Sequence, residues 1–99
     1  MEDRQNPKEF KIEIALDDEI AQGVYSNLAL INHNENEFII DFIFVQPQQP
    51  KARVRSRVIT SPKHIKRFAI ALNENIAKYE ARFGTIEIGN PSHDPANYQ

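Results

Sequence analysis

The chain contains no cysteine and no tryptophan, and only one methionine and three glycines among its 99 residues. The missing cysteines exclude disulfides, thiolate nucleophiles and cysteine-ligated zinc together. Three scattered glycines leave no glycine-rich loop to cradle a phosphate. No apolar run approaches the ~18 residues of a membrane span. The opening stretch Met1 to Glu9 is polar and has no signal-peptide apolar core. These absences predict a cytoplasmic protein with no membrane partner. His33, His64 and His93 are too dispersed in sequence to suggest converging metal ligands. Asp17-Asp18-Glu19 lacks the alternating oxygen ligands of a calcium loop and reads as a solvated turn. No nucleophile–base pair can be placed together. The expectation is no enzyme, no cofactor, no metal and no catalytic residue.

What remains is an ordinary globular composition, 40% apolar and 26% charged. It predicts one domain over residues 10–88, between a disordered leader (1–9) and a flexible tail (89–99). The net charge of −2 is unevenly spread. Residues 1–50 carry ten acids and three bases; the stretch Lys51 to Arg67 carries seven bases and no acid. Such asymmetry fits a nucleic-acid surface, and equally fits two halves that neutralise each other.

The strongest positive signal is period-2 alternation. Phe10 to Leu16 alternates strictly. Residues 17–23 then form a turn or one short helical turn closed by Gly23. Further strands are expected at about Val24 to His33, Glu37 to Val45 and Lys51 to Thr60, separated by Asn32–Asn36 and Gln46–Pro50. Ser61 is a good N-cap and Pro62 suits the first helical position. A helix of about 22 residues, roughly 33 Å long, should run to Phe83 and stop at Gly84 in the left-handed conformation. Thr85 to Ile88 is a candidate for a short final strand. The predicted fold is α+β: a four-stranded antiparallel meander with one long C-terminal helix packed on one face. The helix stripe Ile65, Ala69, Leu72, Ile76, Tyr79 and Phe83 should cover that face. Its spacing of fours and threes also matches a coiled-coil seam, but a sheet needing cover makes intramolecular packing the expected use. Helix pairing across an oligomer stays open as an alternative on the outer side of the helix, where Phe68 and Ile70 have no other role.

A register follows from the loops. Val45 opposite Lys51 sets Asp41 against Arg55 and Ile39 against Arg57; Ile31 opposite Ile39 sets Leu30 beside Ile40. Even positions then form one continuous apolar face, with the helix over it. The odd face is left half apolar and half arginine. Tyr25, Ala29, Ile31, Ile39, Ile43 and Val45 form a candidate self-interface on that face. Lys51, Arg53, Arg55 and Arg57, with Lys63, Lys66 and Arg67, form a candidate anion or nucleic-acid site. Alternatively, Asp41 and Glu37 pair with the arginines across the ladder. The favoured reading is a non-enzymatic homo-oligomer, dimeric or larger, that acts as a binding or adaptor protein with a possible protein partner. Nucleic-acid binding is an alternative that is not favoured.

Gly23-Val24-Tyr25-Ser26-Asn27, His33, Glu37-Phe38, Asp41-Phe42, Pro50-Lys51-Ala52, Val54, Ser56-Arg57, Pro62, His64, Lys66-Arg67, Asn75-Ile76, Tyr79-Glu80 and Phe83-Gly84 stand in one order along the chain. Together they resemble a family of small prokaryotic proteins, the domain of unknown function 3467 family. The resemblance covers about residues 10–88. It implies a compact cytosolic protein and no established activity. The predicted topology is also similar, at the level of fold alone, to the core of the export chaperone SecB. That similarity makes binding of unfolded chains a further alternative.

Overall fold

The computed structural model describes residues 11–89. The expected leader, Phe10 and the expected tail beyond Gly89 lie outside them. The elements are α1 (Asp18–Ala21), β1 (Leu28–His33), β2 (Phe38–Val45), β3 (Ala52–Thr60) and α2 (Pro62–Phe83). The strands form an antiparallel sheet in the order β1-β2-β3. The α+β class, the antiparallel meander and the long C-terminal helix are as the sequence predicts.

Among the described residues the sheet has three strands, not four. Residues 11–17 form no strand, although their alternation is the most regular in the chain. Ile12, Ile14 and Leu16 are exposed, Ile14 at 89%. Alternation sorts side chains onto two sides of an extended segment; it supplies no pairing edge. Both edges of β2 are already occupied, and residues 11–17 form no ladder with β1 or β3. Thr85 to Ile88 likewise forms no strand. Asp17-Asp18-Glu19 opens α1, where the Asp17 carbonyl accepts from the Ile20 and Ala21 N–H groups. Gly23, at φ +71°, ends that turn as expected.

The register departs from the expected one at both hairpins. In β1 and β2, Ile31 faces Ile40 and Leu30 faces Asp41. The cause is the turn. Oδ1 of Asn34 accepts from the backbone N–H groups of Asn36 and Glu37 (2.8 and 2.9 Å), and the Asn34 N–H donates to the Glu37 carbonyl. The Asn side chain thus closes an even-membered loop, which inverts parity between the two strands. At the second hairpin Val45 faces Ala52, with the Gln49 N–H donating to the Gln46 carbonyl around Pro47. A second irregularity follows: Ile43 faces Val54 but Phe42 faces Ser56, so Arg55 is an extra residue in β3. This bulge restores even-to-even pairing beyond it. Asp41 therefore faces Arg57, and Ile39 faces Ile59.

The helix is not packed on the sheet. The Ser61 side chain accepts from the His64 N–H (3.1 Å) and Pro62 opens α2, as expected. Yet no residue of α2 is buried, and Phe83 is 65% exposed. The reason is the connection. Only Ser61 separates β3 from α2, and one residue cannot turn the chain back over the strand it has just left. At its far end the Gly84 N–H donates to the Glu80 carbonyl, with Gly84 at φ +98° and ψ 165°. That is a conformation essentially restricted to glycine, though not the left-handed helical one expected. Among the described hydrophobic residues only Ile40 and Ile43, at 6% and 5% exposure, are buried.

Candidate interaction surfaces

Cross-strand neighbours share a sheet face, so the register decides what each face carries. One face of β2 presents Ile39, Asp41, Ile43 and Val45. Beside them stand Leu28, Leu30 and Asn32 of β1, and Ala52, Val54, Arg57 and Ile59 of β3. The other presents Phe38, Ile40, Phe42 and Phe44, with Ala29, Ile31 and His33, and with Arg53, Ser56, Val58 and Thr60. The expected self-interface is therefore split. Ile39, Ile43 and Val45 lie on the first face; Ala29 and Ile31 lie on the second. The Tyr25 ring stands edge-on to Phe44 at 6.1 Å, also toward the second. Neither face is cleanly polar.

The arginine row is likewise not a row. Arg53 faces Phe44, Arg55 is the bulged residue, and Arg57 faces Asp41. Arg57 is bound to Asp41 through two charge-assisted hydrogen bonds, Nε to Oδ1 at 2.7 Å and Nη2 to Oδ2 at 2.9 Å. Asp41 is 7% exposed, at the centre of the sheet. Its hydrogen bond from Arg57 holds the carboxyl below the usual carboxylate range; burial pushes the other way, and the guanidinium charge adds to the lowering. Arg57 is correspondingly pushed up, first by the hydrogen bond and then by the charge of Asp41. Ladder pairing thus accounts for Arg57, with Asp41 as the partner. Glu37 instead closes the first turn through its backbone and makes no ion pair among the described residues.

The other basic residues form two separate groups. Lys51, Arg53 and Arg55 line an open hollow of about 960 Å³ at the second hairpin, together with Phe44, Gln46 and Gln49. Lys63, Lys66 and Arg67 lie in the first two turns of α2. The groups are on the order of 25 Å apart along β3 at ~3.3 Å per residue. No carboxylate among the described residues pairs with either group.

Two side chains do work that local patterns did not reveal. The N–H of Asn27 donates to the Ile43 carbonyl (3.0 Å). Its side-chain amide then acts as a further strand residue: Nδ2 donates to the Val45 carbonyl (3.0 Å) and Oδ1 accepts from the Val45 N–H (2.9 Å). Glu80 accepts from the Ile86 N–H through Oε2 (2.9 Å), holding the segment after α2 against the helix end. There Asn75, Ile76, Tyr79, Arg82, Phe83 and Ile86 line a shallow depression of about 500 Å³. Only the string Tyr25-Ser26-Asn27 marked Asn27 beforehand, through the family resemblance.

His33 stacks on Phe38 at 5.3 Å, His64 sits in the first turn of α2, and His93 lies outside the described residues. Among the described residues no three His, Asp or Glu side chains gather closely enough to hold a metal ion. No described helix is long and apolar enough to cross a membrane. No curated protein and no solved structure matches the chain. A family model described as protein of unknown function DUF3467 matches residues 1–88, nearly the whole length, and the chain belongs to that family.

Proposed function

We propose that the protein is a self-associating binding or adaptor protein, acting by contact rather than catalysis, whose folded unit is completed by a second copy. The observation that carries this is how small a core the described residues of one chain form. Among the described residues only two aliphatic side chains, Ile40 and Ile43, are buried, and most of the large apolar side chains meet water. Conformational entropy costs about 1–2 kcal/mol per ordered residue, and only buried apolar surface offsets it on that scale. The sheet face that carries Ile39, Ile43 and Val45 also carries the exposed Leu30, Val54 and Ile59. It is the self-interface we favour, redrawn from the expected set. Sedimentation velocity at micromolar concentration tests the reading, with a dimer or larger species expected. A clean, folded monomer overturns it, and one that suppresses aggregation of a destabilised client would assign the apolar surface to unfolded chains instead.

The hollow at the second hairpin favours a second reading. Lys51, Arg53 and Arg55 converge there with Phe44 and two glutamines, a combination suited to a phosphate backbone. Binding of a mixed-sequence oligonucleotide should then weaken steeply as salt is raised, and K51A or R53A should flatten that dependence. Binding that is absent or insensitive to salt excludes it.

A further inference from the structure

We propose that α2 pairs with α2 of a second copy, antiparallel and in one defined register. This rests on the self-association reading and specifies part of its geometry. The helix is long, amphipathic and uncovered: Phe68, Leu72, Ile76, Tyr79 and Phe83 all lie at 36–65% exposure, and no strand packs on them. Side chains of that size leave on the order of 500 Å² of apolar surface open, near the upper end of what a monomer tolerates.

The seam has heptad spacing. Ala69, Ile76 and Phe83 occupy the a positions; Ile65, Leu72 and Tyr79 occupy the d positions. Antiparallel pairing sets each a residue against a d residue of the second copy. Centred on Glu74, it opposes Ala69 to Tyr79, Ile76 to Leu72 and Phe83 to Ile65. The smallest side chain meets a large one, and every layer is apolar. Parallel pairing would instead oppose Ala69 to Ala69 and Phe83 to Phe83, leaving a void in one layer and crowding another.

The flanking charges choose the same arrangement. The e positions are Lys66, Asn73 and Glu80. In the antiparallel register Lys66 faces Glu80 of the second copy at both ends, and Asn73 faces Asn73 at the middle. The g positions set Arg82 against Phe68, a cation over an aromatic face, with Asn75 against Asn75. In a parallel pair, g positions meet e positions. Phe68 then faces Asn73 and Asn75 faces Glu80, with no opposite charges in contact. Glu80 uses Oε2 on the Ile86 N–H, which leaves Oε1 to meet a lysine.

Charge reversal in the full chain tests the register. K66E places two like-charged pairs in each dimer and should weaken self-association about tenfold at low salt. The double variant K66E/E80K should recover to within about threefold, and an equimolar mixture of K66E with E80K should form heterodimers in preference to either homodimer. Because the chain lacks cysteine, a second measurement needs only single substitutions. N73C should cross-link to itself with a short bismaleimide. K66C and E80C should cross-link only when mixed with each other. Self-cross-linking of K66C or E80C alone indicates a parallel pair and overturns the proposal. An oligomer that shows neither charge coupling nor the N73C cross-link also overturns it while leaving self-association standing. A protein that is monomeric throughout removes both readings.

Discussion

Asn27 and the Asp41–Arg57 pair show how single residues set the sheet. The Asn27 amide lies 18 residues from Val45 and satisfies both its N–H and its carbonyl, so β2 does not end with unpaired polar groups. N27A should cost about 1–3 kcal/mol in denaturant unfolding, since both partners lose their bonds. N27D should cost at least as much as N27A, because a carboxylate can still accept from the Val45 N–H but sets an anionic oxygen against the Val45 carbonyl. Asp41 makes stability depend on acid. Its carboxyl titrates lower in the folded state than in the unfolded chain, so the unfolded state takes up protons first as pH falls. Its contribution is fully present above the ordinary carboxylate range and is lost as pH falls through that range toward the depressed value. R57L removes the hydrogen bond and the positive charge and leaves burial to act alone. Its acid-unfolding midpoint, followed by circular dichroism, should move to higher pH, whereas D41N should flatten the acid limb.

At the scale of elements, the alternation of β2 and β3, both caps of α2 and the turn at Gly23 follow from the identity of adjacent residues. That is why they were legible. Relative register was not. It depends on whether a loop holds an odd or an even number of residues, and Asn34 settles that with a side-chain hydrogen bond. The bulge at Arg55 carries no glycine or proline to announce it. The row of arginines and the single odd-numbered interface were projections of an unbroken register, and both dissolve when two loops and a bulge each shift it by one. Residues 11–16 show the complementary failure, a strand pattern without a strand partner. The β3–α2 junction, in contrast, is a one-residue device. S61A should destabilise the helix start by about 1 kcal/mol, read as faster hydrogen exchange at the His64 amide.

For the whole molecule, the decisive fact is how little the described residues bury within one chain. If a second copy completes the fold, melting temperature should rise with protein concentration, since association stabilises the folded state by mass action. I59K and L30K, on the favoured sheet face, should abolish that dependence; unchanged melting across a hundredfold dilution counts against it. In that case the interface would draw on both sheet and helix surfaces, because a standard interface takes roughly 800 Å² from each partner and the helix seam provides only part of it.

The amino-acid sequence alone determined the class of fold, three of its strands and its long helix, because these depend on period, capping and local composition; the family was carried by the resemblance of its ordered motif residues. Only the tertiary structure decided which residues share a face, which arginine Asp41 binds and that α2 stands clear of the sheet. Those outcomes depend on loop parity and on the length of a connection. A change of one residue there reverses a face or redirects a helix while leaving every local pattern intact.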